Sequence, residues 1–116
     1  MTIEKGAHHI EIARADMRVR ITRDGVVLAD TSRPVVLKEG KLPTRYYIEP
    51  DDVRTELLES SDSKTHCPFK GDASYWSLKN GPDDIAWTYR EPIEAAEQIR
   101  GLIAFYNDKV DIDVDG

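Results

Sequence analysis

The segment MRVRITRDGVVLA, residues 17–29, decides the class of fold that this chain should adopt. Its apolar residues at positions 17, 19 and 21 alternate with polar ones, a period of two that is typical of a strand with one buried face. Arg23-Asp24-Gly25 is a hairpin turn signal, and the apolar run at 26–29 follows it directly. The segment therefore predicts two antiparallel strands joined by a tight turn.

Short apolar runs continue along the chain and predict a mainly β domain. We expect a single small domain of short antiparallel strands, an open barrel or sandwich with one or two short helices, at 17–116, preceded by a leading arm at 1–16. Further strands are predicted at 34–37, 45–48, 73–78 and 85–89, helical turns at 50–58 and 91–99, a polar loop at 59–64, and a closing hairpin of 102–106 with 110–114.

Composition excludes several classes of protein. The chain has 116 residues, one cysteine and a formal net charge of −6. One cysteine excludes an internal disulfide and a cysteine-based zinc ribbon, so we expect no structural metal and no cofactor. Excess negative charge argues against binding duplex nucleic acid. The chain shows neither a signal-type apolar core nor a membrane-length run, which favours a cytoplasmic protein with no membrane partner.

The run THCPFKG at 65–71, with SYW at 74–76, combines chemistry that a plain strand does not need. His66 titrates near neutral pH and is the candidate general acid–base group. Cys67 is a weaker catalytic candidate, because a single cysteine is more often a buried inert thiol. In an extended backbone the two side chains point to opposite sides, whereas a tight turn before Pro68 would let them converge. Lys70 could contact an anion.

Arginines and aromatic residues elsewhere suggest the rest of a pocket. On a strand, Arg45 and Tyr47 share one face, and an arginine fork recognises carboxylate or phosphate by paired hydrogen bonds. Arg33 is a second candidate anion contact, which Glu39 would orient; the simpler alternative is a surface ion pair. Tyr75 and Trp76 must point to opposite faces, so we expect one of them to line the pocket.

The acidic residues of the tail have a simpler interpretation. Asp111 and Asp113 share one strand face, as carboxylates that hold magnesium would. However, they alternate strictly with Val110, Ile112 and Val114. This pattern predicts the solvated face of a closing strand.

These motifs together resemble a known bacterial family. Ser32-Arg33, then Glu39, LPTRYY at 42–47, THCPFKG at 65–71 and ASYW at 73–76 are similar to the pattern of the domain of unknown function 427. The resemblance covers roughly residues 17–116. It implies a small β-rich fold like the tent-shaped sheets of zinc-ribbon relatives, without the zinc. The family is sometimes labelled nucleotidyltransferase, and that activity is a further hypothesis for this chain.

Three functions remain open from the sequence. The leading hypothesis is a site for a small anionic metabolite or nucleotide, in a protein that is either an enzyme or a binding module. In this site Arg33, Arg45 and Lys70 hold the anion, and Tyr47 and Trp76 stack on the ligand. The alternatives are a regulatory or protein-interaction module and a nucleotidyltransferase, and homo-oligomerisation stays open. The first hypothesis predicts that Arg45 and His66 lie on one concave surface.

Overall fold

The computed structural model describes residues 2–5 and 8–115, with side chains from residue 10 onward. Its strands are β1 (Thr2–Lys5), β2 (His8–Arg14), β3 (Arg18–Arg23), β4 (Val26–Thr31), β5 (Val35–Glu39), β6 (Arg45–Tyr47), β7 (Leu58–Cys67), β8 (Gly71–Leu78), β9 (Ala86–Tyr89), β10 (Ile103–Phe105) and β11 (Asp111–Asp115). Short 3-10 helices span Pro50–Asp52, Thr55–Leu57 and Glu94–Ile99.

These strands form three antiparallel sheets, which confirms the predicted mainly β domain. The first sheet has the order β1-β2-β5-β6, the central sheet β10-β9-β8-β7, and the third sheet β11-β3-β4. Within the described residues, no sheet closes into a barrel. The two predicted helical segments form short 3-10 helices. Neither segment has the long apolar stripe that would stabilise an α-helix against the core.

The central sheet contributes to two separate cores, one on each face. Trp87 and Tyr89 pack with Ile12 and Leu37 of the first sheet. Ala86 and Phe105, which point the other way, belong to the core that also holds the apolar residues of the third sheet. Alternation along β9 and β10 therefore places successive side chains in different cores. This explains why β9 is buried along its whole length.

The hairpin predicted from residues 17–29 is confirmed. Val19 and Ile21 are fully buried, and β3 pairs with β4 across a two-residue turn. Asp24 and Gly25 both have positive φ, 49° and 81°. Positive φ at both central positions is the geometry that Asp-Gly favours in a tight hairpin.

The N-terminal segment is not a separate arm. β2 pairs with β5 from Ile10 to Arg14, and Ile10 and Ile12 are fully buried in the first core. These two apolar side chains alternate with Glu11 and Ala13, so residues 10–13 have the period of two that is typical of a strand with one buried face. Residues 8–14 are therefore part of the first sheet. Residues 1, 6 and 7 of the expected arm lie outside the described residues.

Two further predictions from the sequence are wrong. The expected polar loop at 59–64 lies within β7, which is the last strand of the central sheet and exposes most of its side chains, so it needs no apolar alternation. The expected closing hairpin also does not form. β10 pairs with β9 and β11 pairs with β3, because the turn after Phe105 carries the chain from the central to the third sheet.

The β7–β8 turn is tied to the first sheet by an ion pair. Lys70 Nζ lies 2.6 Å from Glu39 Oε1, and both side chains are only 11% exposed. The Lys70 amide also donates to the Cys67 carbonyl, and its carbonyl accepts from the Ile93 amide. Lys70 and Glu39, both expected in a ligand site, therefore contact each other and join two sheets.

We expect Lys70→Met to lower the free energy of unfolding by roughly 3 kcal/mol, because it leaves a carboxylate buried without its cation. The double variant Glu39→Gln/Lys70→Met should lose less, since no uncompensated charge remains. Urea denaturation measures both. Arg54→Ala, which removes an exposed pair with Glu56, is the control. A Lys70→Met loss no greater than that of Arg54→Ala would contradict the structural role of this pair.

The tail carboxylates lie on the outer face of the third sheet. Asp113 and Asp115 stand opposite Arg20 and Arg18, and both acids are exposed. Asp30 completes this charged surface, with Oδ2 2.7 Å from Arg18 Nη2. The arginines and aspartates thus balance each other across the strands.

The variant Asp111→Asn/Asp113→Asn should fold normally and change the free energy of unfolding by about 0.5 kcal/mol or less, as exposed substitutions do. Urea denaturation and the far-ultraviolet spectrum check this. A loss as large as that of Lys70→Met would show that these carboxylates have a structural partner beyond the residues that face them, Thr22 and Arg20.

Candidate functional site: a tyrosine-lined cleft

A cleft of about 500 Å³ opens where β7 and β8 meet the turn that follows β10. We call it the tyrosine cleft. Its volume falls within the usual range for small-molecule sites. Eight residues line it: Ser63, Lys64, Thr65, Tyr75, Asp84, Tyr106, Asp108 and Lys109.

Three hydroxyl groups form a chain along this cleft. The rings of Tyr75 and Tyr106 are stacked at 10° with centroids 6.4 Å apart, and the Tyr106 hydroxyl donates to the Tyr75 oxygen at 3.3 Å. The Thr65 hydroxyl lies 2.8 Å from that same oxygen. Burial, followed by the Tyr75 hydrogen bond, raises the pKa of Tyr106. Tyr106 is therefore a neutral hydroxyl donor at physiological pH.

Asp84 supplies a fixed carboxylate at one side of the cleft. Hydrogen bonds from Ser61 and Ser63 hold the pKa of Asp84 below its usual value, and the Ser63 hydroxyl donates to Oδ2 at 2.6 Å. The Asp84 amide donates to the Ser77 hydroxyl oxygen at 3.0 Å. Asp84 also has a positive φ of 50°, so this turn is held in a sparsely populated conformation. The serines come from the irregular part of β7, between Ser60 and Lys64.

Two cations surround the Tyr106 ring. The Arg45 guanidinium carbon lies 5.8 Å from the Tyr106 centroid and 5.1 Å from that of Trp87, and Nη1 donates to Asn107 Oδ1 at 2.7 Å. Lys109 Nζ lies 5.4 Å from the Tyr106 centroid and donates to the carbonyls of residues 83 and 84. The two aromatic faces and the Asn107 oxygen hold the arginine in one orientation.

Of the residues selected from the sequence, Tyr75 lines the cleft, whereas Arg45 is outside the lining and contacts the Tyr106 ring. Tyr47 shares the strand face of Arg45 but is 1% exposed, beneath the cleft in the first core. Its oxygen accepts a hydrogen bond from Trp87 Nε1 at 3.0 Å, and burial raises the pKa of Tyr47. Trp76 points to the other face, packs against the second core and lies under the Arg90 guanidinium.

His66 lies on the opposite face of the central sheet from this cleft. Thr65 meets Tyr75, so the next side chain along β7 projects the other way. There His66 Nδ1 is 2.7 Å from Asp72 Oδ1, and the histidine side chain is 69% exposed. The prediction that Arg45 and His66 share one concave surface is therefore wrong. Their sequence motifs are adjacent in the fold, but strand alternation separates the two side chains.

Cys67 does not meet His66. Both lie on the extended strand β7, so their side chains point to opposite faces, and the turn that would bring them together begins only after Cys67. The cysteine is half-buried and packs against the first core. This environment is that of a structural thiol.

Arg33 lies apart from the cleft-lining residues. Its Nε is 3.5 Å from Asp52 Oδ2, and its side chain is 55% exposed. The Asp52 carboxylate also accepts from the Thr31 hydroxyl at 2.8 Å. Arg33 and Glu39 occupy opposite ends of the β5 region and contact different partners, so the arrangement in which one orients the other is not formed.

The sequence did not single out Tyr106, Asn107, Asp84 or Lys109. Tyr106 ends the run 102–106, and its position beside Tyr75 depends on the turn that leads to β11, which the sequence pattern misassigned. Asp84 is in a loop whose partners are the serines of the polar segment at 59–64. The local sequence pattern does not indicate either pairing, because each joins residues that are far apart along the chain.

The described side chains of residues 10–115 include no cluster of three histidine, cysteine or acidic residues that could hold a metal ion. Within the described chain, no helix has the length and apolar character needed to cross a bilayer.

Comparison with curated proteins finds no significant match. Comparison with family profiles does: residues 11–116 match the profile described as Domain of unknown function (DUF427), which extends the similarity through most of β2. Because this match covers nearly the whole chain, the protein belongs to the DUF427 family.

Proposed function

We propose that the tyrosine cleft binds a small anionic molecule, a metabolite or nucleotide. The observation that carries this proposal is the fixed Arg45 guanidinium, stacked on Trp87 and Tyr106 and bonded to Asn107. A cation already held in place loses little side-chain freedom when an anion binds. Beside it, the hydroxyls of Thr65 and Tyr75 supply polar contacts and the tyrosine rings supply flat apolar ones.

Local charge supports an anionic ligand in a protein that is negative overall. Lys64 and Lys109 line the cleft against Asp84 and Asp108, and Arg45 adds a third cation against the Tyr106 ring, although the formal net charge of the chain is −6. The Lys64 ammonium bonds to Ser74, and the Lys109 ammonium bonds to the carbonyls of residues 83 and 84. Arg45 is therefore the cation that we propose to contact the anion directly. Asp84 and the hydroxyl chain would bind donor groups at the other end of the ligand.

A protein-interaction module is the alternative. The exposed large apolar residues of the described chain are Val26, Leu42, Ile93 and Val114. Val26 and Val114 share the third sheet but stand opposite different ends of β3, and Leu42 and Ile93 lie outside the strands. Single exposed apolar residues are ordinary surface features and do not favour a protein partner. The concave, partly buried tyrosine cleft favours a small molecule instead.

A nucleotidyltransferase activity has less support. Metal-dependent nucleotidyl transfer uses carboxylates that hold magnesium beside the substrate. Asp111 and Asp113 are exposed on the third sheet, opposite Thr22 and Arg20, and Asp84 and Asp108 are the acids of the cleft. Magnesium-dependent nucleotide binding that is lost in Asp111→Asn/Asp113→Asn would favour this activity over the proposed anion site.

We expect at least one member of a panel of inorganic phosphate, nucleoside monophosphates, sugar phosphates and polycarboxylates to raise the melting temperature. For that compound, Arg45→Ala should weaken binding roughly tenfold to a hundredfold, the equivalent of one charged hydrogen bond. Arg54→Ala, an exposed arginine whose Nε bonds Glu56, is the matched control and should change nothing. Equal losses in both variants, or no stabilising compound, would reject the anion site.

His66→Ala should leave the affinity for the same compound within about twofold, because this side chain is on the far face of the sheet. A hydrogen bond between His66 and the ligand, if lost, would lower the affinity by more than that. Tyr106→Phe should weaken binding, because it removes a hydroxyl from the cleft. Isothermal titration measures both variants. If instead His66→Ala abolishes binding, the ligand site lies on the other face of the central sheet. A turnover assay with the bound compound then distinguishes an enzyme from a binding module.

A further inference from the structure

A second cavity, of about 420 Å³, lies on the outer face of the first sheet. We call it the alanine groove, and its lining residues are Glu11, Ala13, Ala15, Met17, Val36, Lys38, Thr44 and Tyr46. We propose that this groove is a second ligand site, which takes a small uncharged molecule with a flat apolar body and one polar end.

The floor of the groove consists of two rows of side chains that cross the strands. In one row Ala13 stands opposite Val36, which stands opposite Tyr46. An outer face of an antiparallel sheet normally carries polar side chains, so this apolar row is unusual. The small side chain at Ala13 leaves a depression beside the larger Val36 and Tyr46, and this space accepts a flat apolar group.

The neighbouring row is polar. Glu11 stands opposite Lys38, and Thr44, the residue before β6, lines the same groove. The opposite charges of Glu11 and Lys38 balance each other locally, which favours an uncharged ligand over an anion or a cation. The hydroxyl and charged groups of this row bind the polar end of the ligand.

The groove is more than a flat sheet surface. Met17 and Tyr46 line it and also pack against the second core, where Ile48 is fully buried. Its apolar wall is therefore continuous with the hydrophobic interior, a surrounding that favours burial of an apolar group. The tyrosine cleft, by contrast, belongs to the central sheet and shares no lining residue with this groove.

The test uses N-phenyl-1-naphthylamine, an uncharged fluorophore with flat aromatic rings and a single N–H group, whose emission rises in apolar surroundings. We expect saturable binding to the wild-type chain, with amide shifts centred on Ala13, Val36 and Tyr46. Ala13→Leu, which fills the depression, should weaken binding at least tenfold. Thr22→Leu, the same type of enlargement on β3 of the third sheet, is the matched control and should bind as wild type. Arg45→Ala should also bind as wild type, which keeps this site independent of the proposed anion site.

Three results would overturn the proposal. One is non-saturable emission, or equal binding by the wild type and Ala13→Leu. Another is a set of amide shifts centred on Tyr75 and Tyr106. The third comes from sedimentation velocity: a wild-type dimer that Ala13→Leu dissociates would assign the groove to a second copy of the chain.

Discussion

The hydrogen bond from the Trp87 indole to the Tyr47 hydroxyl is the interaction on which the site depends. It joins β9 of the central sheet to β6 of the first sheet inside the first core. The same indole contacts the Tyr106 ring at a centroid distance of 4.5 Å and lies under Arg45. The Trp87 indole thus has its N–H hydrogen-bonded inside the core, while its ring face contacts Tyr106 and Arg45. The packing of the core therefore fixes the position of the Arg45 guanidinium.

Strands could be located from the sequence where one face of the strand is buried and the other is exposed to solvent. Residues 17–29 satisfy this condition, and their pattern and turn residues define the hairpin. β7 does not, because it is a mainly exposed polar strand. β11 was predicted as a strand from its alternation, but its partner β3, far along the chain, was not. Local alternation indicates that a segment is a strand but contains no information about which distant strand it meets.

Only a small part of the candidate site could be predicted from the sequence, in composition as well as in geometry. Arg45 and Tyr75 converge, but Lys70 and Glu39 form a buried ion pair and His66 faces the other side. Adjacent motif residues on a strand are divided between two faces, and the partner of each is set by the register with β8. The family resemblance identified the important segments, whereas the register decided which residues of each segment share a surface.

The position of β7 at the end of the central sheet has a consequence for how the protein behaves when concentrated. Its outward backbone groups offer a template on which another molecule could add a strand. Three features oppose such stacking: the charged Asp62 and Lys64, the run of serines, and the register shift between Ser60 and Lys64 that bends the strand. The irregularity that directs Ser63 toward Asp84 therefore also guards the molecule against edge-to-edge aggregation.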